Sequence, residues 1–261
     1  VHNSPSYREY AFTIWLFFDK RGERMDYKTV QEAEKYRLMA SFFQNNDEKK
    51  HQYYYQKYLY VLNQAQQMRS SASIRFVHTS PDAQAVDVYI NNERVFTNIS
   101  YKNISEYVQL SVGVYEIEIY LAGEASDPIL KKSLSVDSNT YYTVGAINEG
   151  NNIQLMFWKD DKNVPSSETK LRFINLSPDS PNIDVAVQGG DVVFSNVSFT
   201  EVTDYLGLTP MTVDLEVRVA GTKDVLFTLD RIKFRPDIGY TAIVVGFKGK
   251  NPSLETIFLV P

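Results

Sequence analysis

Alternation of apolar and polar positions dominates the chain after about residue 73. Between residues 115 and 121 apolar side chains alternate with polar ones, and residues 213–219 repeat that order. A period of two with one polar face is typical of antiparallel strands that have one side in water. Further strands are predicted at residues 141–147 and 153–158, so this region is predicted to be mainly β.

These strands belong to a longer internal repeat. The two copies begin 97 residues apart, at Arg75-Phe76-Val77 and at Arg172-Phe173-Ile174. Each continues into a Ser-Pro-Asp turn and then an aspartate inside an apolar run, which are Ser80, Pro81, Asp82 and Asp87 in the first copy and Ser177, Pro178, Asp179 and Asp184 in the second. A fixed offset indicates two copies of one domain, each read as strand, turn and strand.

Residues 25–72 follow a helical period instead. Apolar side chains recur at helical spacing on one face up to Phe43, and again after residue 50. The polar run Asn45-Asn46-Asp47 separates the two stretches and is predicted to cap the second helix. Two antiparallel helices joined by a short loop are therefore expected before the first repeat.

Tyrosine is concentrated in this part of the chain. Nine of the 18 tyrosines lie in the first 72 residues, and Tyr53, Tyr54, Tyr55, Tyr58 and Tyr60 span more than half of a helix circumference. One face cannot bury them all. Two interpretations stay open: the hairpin packs on a neighbouring domain and leaves some tyrosines half exposed, or the tyrosines form an interaction surface.

The pattern divides the chain into five segments. They are an aromatic segment at 1–24, the hairpin at 25–72, the first β-repeat at 73–160, a linker at 161–169 and the second β-repeat at 170–261. The aromatic segment contains Trp15 and is read either as an added strand or as translated upstream sequence before Met25. Because the linker is charged and lacks an apolar period, we expect the two repeats to fold independently.

Charge and composition exclude several classes of function. The net charge of −5 combines an excess of three positive charges in residues 1–72 with an excess of eight negative charges in the remainder. An acidic body does not favour a nucleic-acid partner. The chain has no cysteine, and its strongest apolar run, residues 10–18, is too short to span a membrane, so no disulfide, thiolate site or integral membrane segment is predicted.

The paired aspartates are the one repeated acidic feature near a turn. Asp82 with Asp87, and Asp179 with Asp184, are read either as calcium ligands or as turn residues that bond to nearby backbone. Calcium needs six to eight oxygen ligands, and no run of closely spaced acidic ligands accompanies these pairs. The sequence therefore favours the structural reading.

Catalytic motifs are absent from the sequence. His2, His51 and His78 lie in three different segments, and the sequence contains no nucleophile elbow, phosphate-binding loop or dinucleotide fingerprint. We therefore predict no catalytic residue, no metal and no cofactor, and a protein that is not an enzyme.

The paired motifs resemble the bacterial domain-of-unknown-function family DUF4397, present in tandem over residues 73–261. The resemblance implies two immunoglobulin-like or transthyretin-like antiparallel β-sandwiches, in surface, envelope or spore-associated proteins without established catalytic activity. The tyrosine-rich hairpin resembles the leader of members from spore-forming Gram-positive bacteria. The fold predicted for the whole chain is thus mainly β, with a helical hairpin before two sandwiches.

The expected function is structural or interactive. We expect a protein of a bacterial spore coat or cell envelope, or alternatively of the cytoplasm, that associates with itself or with other coat or envelope proteins. The hairpin and the sandwich edges would form the contacts, with Tyr53, Tyr54, Tyr55, Tyr58 and Trp15 as candidate interaction residues. The alternative function is a surface module that recognises a glycan or wall polymer through an exposed aromatic such as Trp15 or Trp158.

Overall fold

The computed structural model describes residues 27–69, 71–124 and 126–261. The aromatic segment 1–24, including Trp15, lies outside the described residues, so both interpretations of it stay predictions. The described chain divides into two units, a helical one that ends at Ser70 and a β one from Ser71 to Pro261. Each is described by itself below.

The helical unit is the predicted hairpin. Helix α1 spans Tyr27–Phe43 and helix α2 spans Glu48–Arg69. The Asp47 carboxylate accepts a hydrogen bond from the Lys50 amide at 3.1 Å, which caps the start of α2 as the sequence predicts. The fully buried side chains of the hairpin are small ones: Ala33, Ala40, Val61 and Ala65.

The β unit contains sixteen strands, eight in each repeat. In the first repeat they are β1 (Ser71–His78), β2 (Val86–Ile90), β3 (Glu93–Ile99), β4 (Val108–Ser111), β5 (Gly113–Leu121), β6 (Leu130–Val136), β7 (Tyr141–Ile147) and β8 (Gln154–Asp160). In the second they are β9 (Thr169–Asn175), β10 (Ile183–Val187), β11 (Val192–Val197), β12 (Leu206–Leu208), β13 (Met211–Val219), β14 (Val225–Phe234), β15 (Ile238–Val245) and β16 (Glu255–Leu259).

Each repeat forms a sandwich of two four-stranded sheets with the same strand order. The sheets are β4-β1-β7-β8 and β3-β2-β5-β6 in the first repeat, and β12-β9-β15-β16 and β11-β10-β13-β14 in the second. The predicted fold class is confirmed. In each sandwich the first strand lies beside the seventh and runs parallel to it, so β1 pairs with β7 and β9 with β15. Alternation of apolar and polar side chains does not distinguish parallel from antiparallel pairing.

Each sandwich has its own apolar core between its two sheets. Phe76 and Ile119 are fully buried in the first core, and Phe173 and Val217 occupy the second. A third buried cluster lies between the sandwiches, and its members are Val77, Ile147 and Trp158 from the first repeat and Ile174, Leu176, Ile243, Val245 and Leu259 from the second.

This shared layer changes the expectation that every sheet has one side in water. The sheets that contain β1 and β9 are covered on both faces, and every residue of β9 is buried. Gly145 leaves room for Trp158, since a Cβ at Gly145 would lie 2.9 Å from the Trp158 ring. A separated sandwich would expose this layer to water, which argues against independent folding of the two repeats.

Two arginines from the repeated motif cross the shared layer in matching ways. Arg75 donates to the Thr143 hydroxyl at 2.8 Å and to the Val260 carbonyl of the second repeat at 2.8 Å. Arg172 donates to the Thr241 hydroxyl at 2.9 Å and to the Lys159 carbonyl of the first repeat at 2.9 Å. The two repeats are thus joined by reciprocal contacts about an approximate two-fold axis.

One carboxylate serves both arginines. Asp160 lies 3.3 Å from Arg75 and 2.9 Å from Arg172, and its side chain is fully buried. The Tyr107 hydroxyl donates to the same carboxylate at 2.6 Å, and burial raises the pKa of Tyr107, which keeps this donor protonated. The cluster holds two buried positive charges against one negative charge, so Asp160 is essential to its balance.

Candidate functional site

The Ser-Pro-Asp turns anchor distant loops. Asp82 accepts the Gly150 amide at 2.7 Å, and Asp179 accepts the Lys248 and Gly249 amides at 2.7 and 3.0 Å. The sequence suggested that these carboxylates accept amides of their own turn. The amides that they accept belong instead to the loop between the last two strands of the same sandwich. Both carboxylates bind backbone, in agreement with a structural reading.

The second aspartate of each motif is buried and also binds backbone. Asp87 accepts the Asn98 amide at 2.7 Å, and Asp184 accepts the Asn196 amide at 2.7 Å and the Gly221 amide at 2.8 Å. Asn98 and Asn196 have positive φ angles of 51° and 55°, where the strand pairing is irregular. Each carboxylate thus stabilises a bulge that few residues tolerate.

These contacts leave the aspartates poorly placed as metal ligands. Within residues 27–69, 71–124 and 126–261, no three His, Cys, Asp or Glu side chains are grouped so that they could hold a metal ion. The lone pairs that calcium would need are directed at backbone amides in both repeats. The geometry gives the four aspartates a role in loop and bulge conformation.

The two described histidines bond to backbone carbonyls. His51 lies 2.8 Å from the Ala40 carbonyl across the hairpin, and His78 lies 3.0 Å from the Gln84 carbonyl under the first Ser-Pro-Asp turn. His78 is fully buried, and burial lowers its pKa. Its second ring nitrogen has no hydrogen-bond partner among the described residues, whereas Asn175, its counterpart, bonds to Ser180.

The tyrosines of the hairpin divide into exposed and half-buried ones. Tyr53, Tyr55 and Tyr60 are exposed, at 57, 46 and 62%. Tyr54 and Tyr58 are half-buried against the seam of the hairpin, and burial raises the pKa of Tyr58. Of the candidates from the sequence, Tyr53 and Tyr55 are therefore the ones that face water.

An aromatic ladder runs around the loop end of the hairpin. Ring centroids are 5.0 Å apart for Phe42 and Phe43, 5.7 Å for Phe43 and Tyr54, and 5.1 Å for Tyr54 and Tyr53. The ladder begins and ends on exposed rings, since Phe42 is 68% exposed. Lysine ammonium groups flank it, with Lys50 5.0 Å from the Phe43 centroid and Lys57 5.8 Å from that of Tyr53.

Sequence reasoning missed part of this surface. Leu38 and Phe42 are exposed in the hairpin but lie outside the tyrosine cluster that the sequence singles out. The i, i+4 spacing of Leu38 and Phe42 was the available signal, since it places both on the face of α1 opposite Ala40. We define the hairpin surface as Leu38, Phe42, Tyr53, Tyr55 and Tyr60.

The predicted sandwich edges exist, and they are partly occupied. Strands β8 and β16 each lie at the edge of a sheet. However, the Leu155 carbonyl of β8 accepts the Lys132 ammonium at 2.8 Å, and the arginine contacts described above use the carbonyls of Lys159 and Val260. These edges offer fewer free groups to an added strand than the sequence suggested.

Family comparison agrees with the repeat. The family model "Domain of unknown function (DUF4397)" matches residues 72–186 and again residues 178–260. The chain belongs to the DUF4397 family. No curated protein matches the chain.

Solved structures show only distant likeness. The Bacillus anthracis TIE protein matches at 15% identity and a TM-score of 0.21, over 67% of this chain and 33% of that one, so this chain spans a third of that protein. Suggested cell adhesion proteins from Bacteroides uniformis and Bacteroides fragilis match at 12 and 10% identity and TM-scores of 0.24 and 0.19, each over 74% of this chain and 97% of theirs. Likeness at this level supports no statement about function.

A membrane span is not among the features of the two helices. Neither α1 nor α2, the helices of the described residues, combines the length and the apolarity that crossing a bilayer requires.

Proposed function

We propose that this DUF4397 protein is a non-enzymatic structural or interaction protein of a bacterial cell envelope or spore coat, which associates with itself through the hairpin surface. The observation that carries the proposal is the contrast inside the hairpin. Among the hairpin residues whose burial the structure describes, the buried ones are three alanines and one valine, while Phe42 and Tyr60 are 68 and 62% exposed. A two-helix unit with so small an interior needs further burial to be stable.

The size of the hairpin surface fits association. Burial of a large apolar side chain contributes about 1.5–3 kcal/mol, and association costs on the order of 4–15 kcal/mol in lost freedom. Several such side chains must therefore be buried together. The hairpin surface has five in total; Tyr53 and Tyr60, seven residues apart, share one face of α2, whereas Tyr55 lies on the other side of that helix.

The envelope or spore location is supported by the sequence resemblance of the paired motifs and the tyrosine-rich hairpin to proteins of that setting. Partners in this proposal are further copies of the chain or other coat or envelope proteins. The alternative of a glycan-binding module with Trp158 as its platform loses support, because Trp158 is only 5% exposed and lies in the shared layer.

The proposal is tested by light scattering after size exclusion. We expect the full chain to exceed its monomer mass of 30.0 kDa, and a Phe42→Ser/Tyr53→Ser/Tyr60→Ser variant to return to it. The matched control replaces three exposed polar residues of α2, Gln52, Gln56 and Gln64, by serine and should leave the mass unchanged. A full chain that is monomeric at tens of micromolar would remove the proposal.

A further inference from the structure

The solvent-facing side of sheet β3-β2-β5-β6 in the first sandwich, called here the first outer face, carries an acidic and aromatic column. Along β5, the side chains on this side are Val114, Glu116, Glu118 and Tyr120. Val114 and Glu116 are exposed, Tyr120 is half-buried and Glu118 is fully buried. Strand register places Ser135 beside Val114, Ser133 beside Glu116, and both Lys131 and Tyr89 beside Glu118. Val114 is 70% exposed, the largest value among the exposed large hydrophobic residues in the described chain.

The middle of this face is aromatic and carries excess negative charge. The rings of Tyr89 and Tyr120 lie 4.6 Å apart at an angle of 51°. Glu116 and Glu118 both pair with Lys131, at 3.3 Å for Glu116, so two carboxylates share one ammonium group. Glu118 is fully buried and Glu116 is exposed, so the carboxylate that a cation from outside can reach is that of Glu116.

The equivalent face of the second sandwich lacks these aromatic rings. The residues of β13 and β10 that match Val114, Glu116, Glu118, Tyr120 and Tyr89 are Thr212, Asp214, Glu216, Arg218 and Ala186. Arg218 pairs with Glu216, and it also donates to the Gly190 carbonyl at 3.2 Å. At these matching positions the two repeats each carry two carboxylates and one cation, and they differ in that only the first carries aromatic rings.

The hairpin surface has the opposite chemistry. Residues 27–69 contain seven Lys or Arg against four Asp or Glu, whereas residues 71–160 contain six against eleven. Lys50 and Lys57 flank the aromatic ladder and are exposed. A hairpin paired with a second hairpin would bring like net charges together, while the first outer face offers both the missing charge and apolar rings.

We propose that the hairpin surface of one copy binds the first outer face of a second copy. The inference rests on the proposed self-association and names its partner. Phe42 and Tyr53 would pack on Val114 and the Tyr89–Tyr120 pair, with Lys57 facing the exposed Glu116 carboxylate. Because the two contacting surfaces differ, the contact is heterologous, and repetition of it builds either a closed ring or an open chain of copies.

The test uses two full-length variants. The hairpin variant, Phe42→Ser/Tyr53→Ser, keeps the first outer face. The face variant, Val114→Thr/Tyr89→Ala/Tyr120→Arg, keeps the hairpin and gives the first outer face residues that the second sandwich already carries at these positions. Circular dichroism and thermal melting check that both fold, and Thr212→Ala on the second sandwich serves as the control.

Mass measurement on the variants and on their mixture decides the matter. We expect each variant alone to be monomeric, and an equimolar mixture to give one species of roughly twice the 30.0 kDa chain mass, because one hairpin and one face remain. A face variant that still assembles like the unaltered chain, or a mixture without a complex, overturns the heterologous contact while self-association stands. An unaltered chain that is monomeric overturns both proposals.

Discussion

The hairpin and the sandwich pair differ in where their large side chains lie. In the sandwich pair, phenylalanines such as Phe76 and Phe173 are fully buried, and even the layer between the repeats is apolar and closed. In the hairpin, the buried positions hold Ala33, Ala40, Val61 and Ala65, and the large side chains face outward. Buried side chains stabilise the fold of the sandwiches, whereas the exposed side chains of the hairpin are available to bind a partner.

The largest effect is expected where the sandwich pair depends on one residue. Asp160→Ala leaves Arg75 and Arg172 buried without their carboxylate, and breaking such a pair costs about 3–5 kcal/mol. Urea unfolding of the full chain should show that loss. The matched control is Glu93→Ala, an exposed carboxylate at a sheet edge; equal loss in both variants would deny Asp160 its special role.

An intermediate effect is expected on the hairpin, and it should leave the sandwiches untouched. Phe42→Ser removes one exposed ring and should weaken self-association by about 1.5–3 kcal/mol, or roughly ten- to hundredfold, if that ring is buried in the contact. Sedimentation over a dilution series measures the change. The urea midpoint of the β unit should stay constant. A fall in that midpoint would show that Phe42 also contributes to the stability of the sandwiches.

A smaller effect compares matching tyrosines of the two sandwiches. The Tyr142 hydroxyl accepts the Asp137 amide at 3.1 Å and donates to the Asp137 carboxylate at 3.0 Å, whereas the Tyr240 hydroxyl accepts the Arg235 amide at 3.2 Å. Each hydrogen bond contributes about 0.5–1.5 kcal/mol. Tyr142→Phe should therefore destabilise the protein more than Tyr240→Phe in thermal unfolding; the reverse order would contradict these geometries.

The smallest expected effect is a pH dependence from His78. Burial lowers the pKa of His78 in the folded protein, so the unfolded chain binds the proton more tightly. Its contribution is fully present above the ordinary histidine pKa of about 6.5 and is lost as the pH falls toward the lowered value. The urea midpoint should be lower at pH 5.5 than at pH 7.5, and His78→Asn, which copies Asn175, should reduce this difference. A variant with the same difference as the unaltered chain would show that His78 is not its source.

Much of the fold was accessible from the sequence, because local rules governed it. The 97-residue offset, the alternation along β5 and β13, and the cap at Asp47 all depend on neighbours in the chain. The contacts of Asp87 and Asp184 reach amides of the adjacent strand, 11 and 12 residues along the chain, so the sequence indicated backbone as their partner but not which amides.

The features that the sequence did not reveal depend on the meeting of distant segments. Arg75 and Arg172 belong to the repeated motif, but their shared carboxylate, Asp160, lies next to the charged linker. No local pattern in the sequence distinguishes it from the other charged residues there. The parallel pairing of β1 with β7 leaves no local trace. Exposure of Phe42 and Tyr60 depends on which helix face meets the seam, which a single-helix pattern defines only loosely.

The central claim is that association requires the hairpin and that the sandwiches do not associate by themselves. Sedimentation velocity of the full chain beside a chain that begins at Ser71, both at tens of micromolar, tests it most directly. The account predicts a concentration-dependent, faster-sedimenting species for the full chain and a single monomer for residues 71–261. Equal association of both chains would place the contact on the sandwiches, and a monomeric full chain would contradict the account altogether.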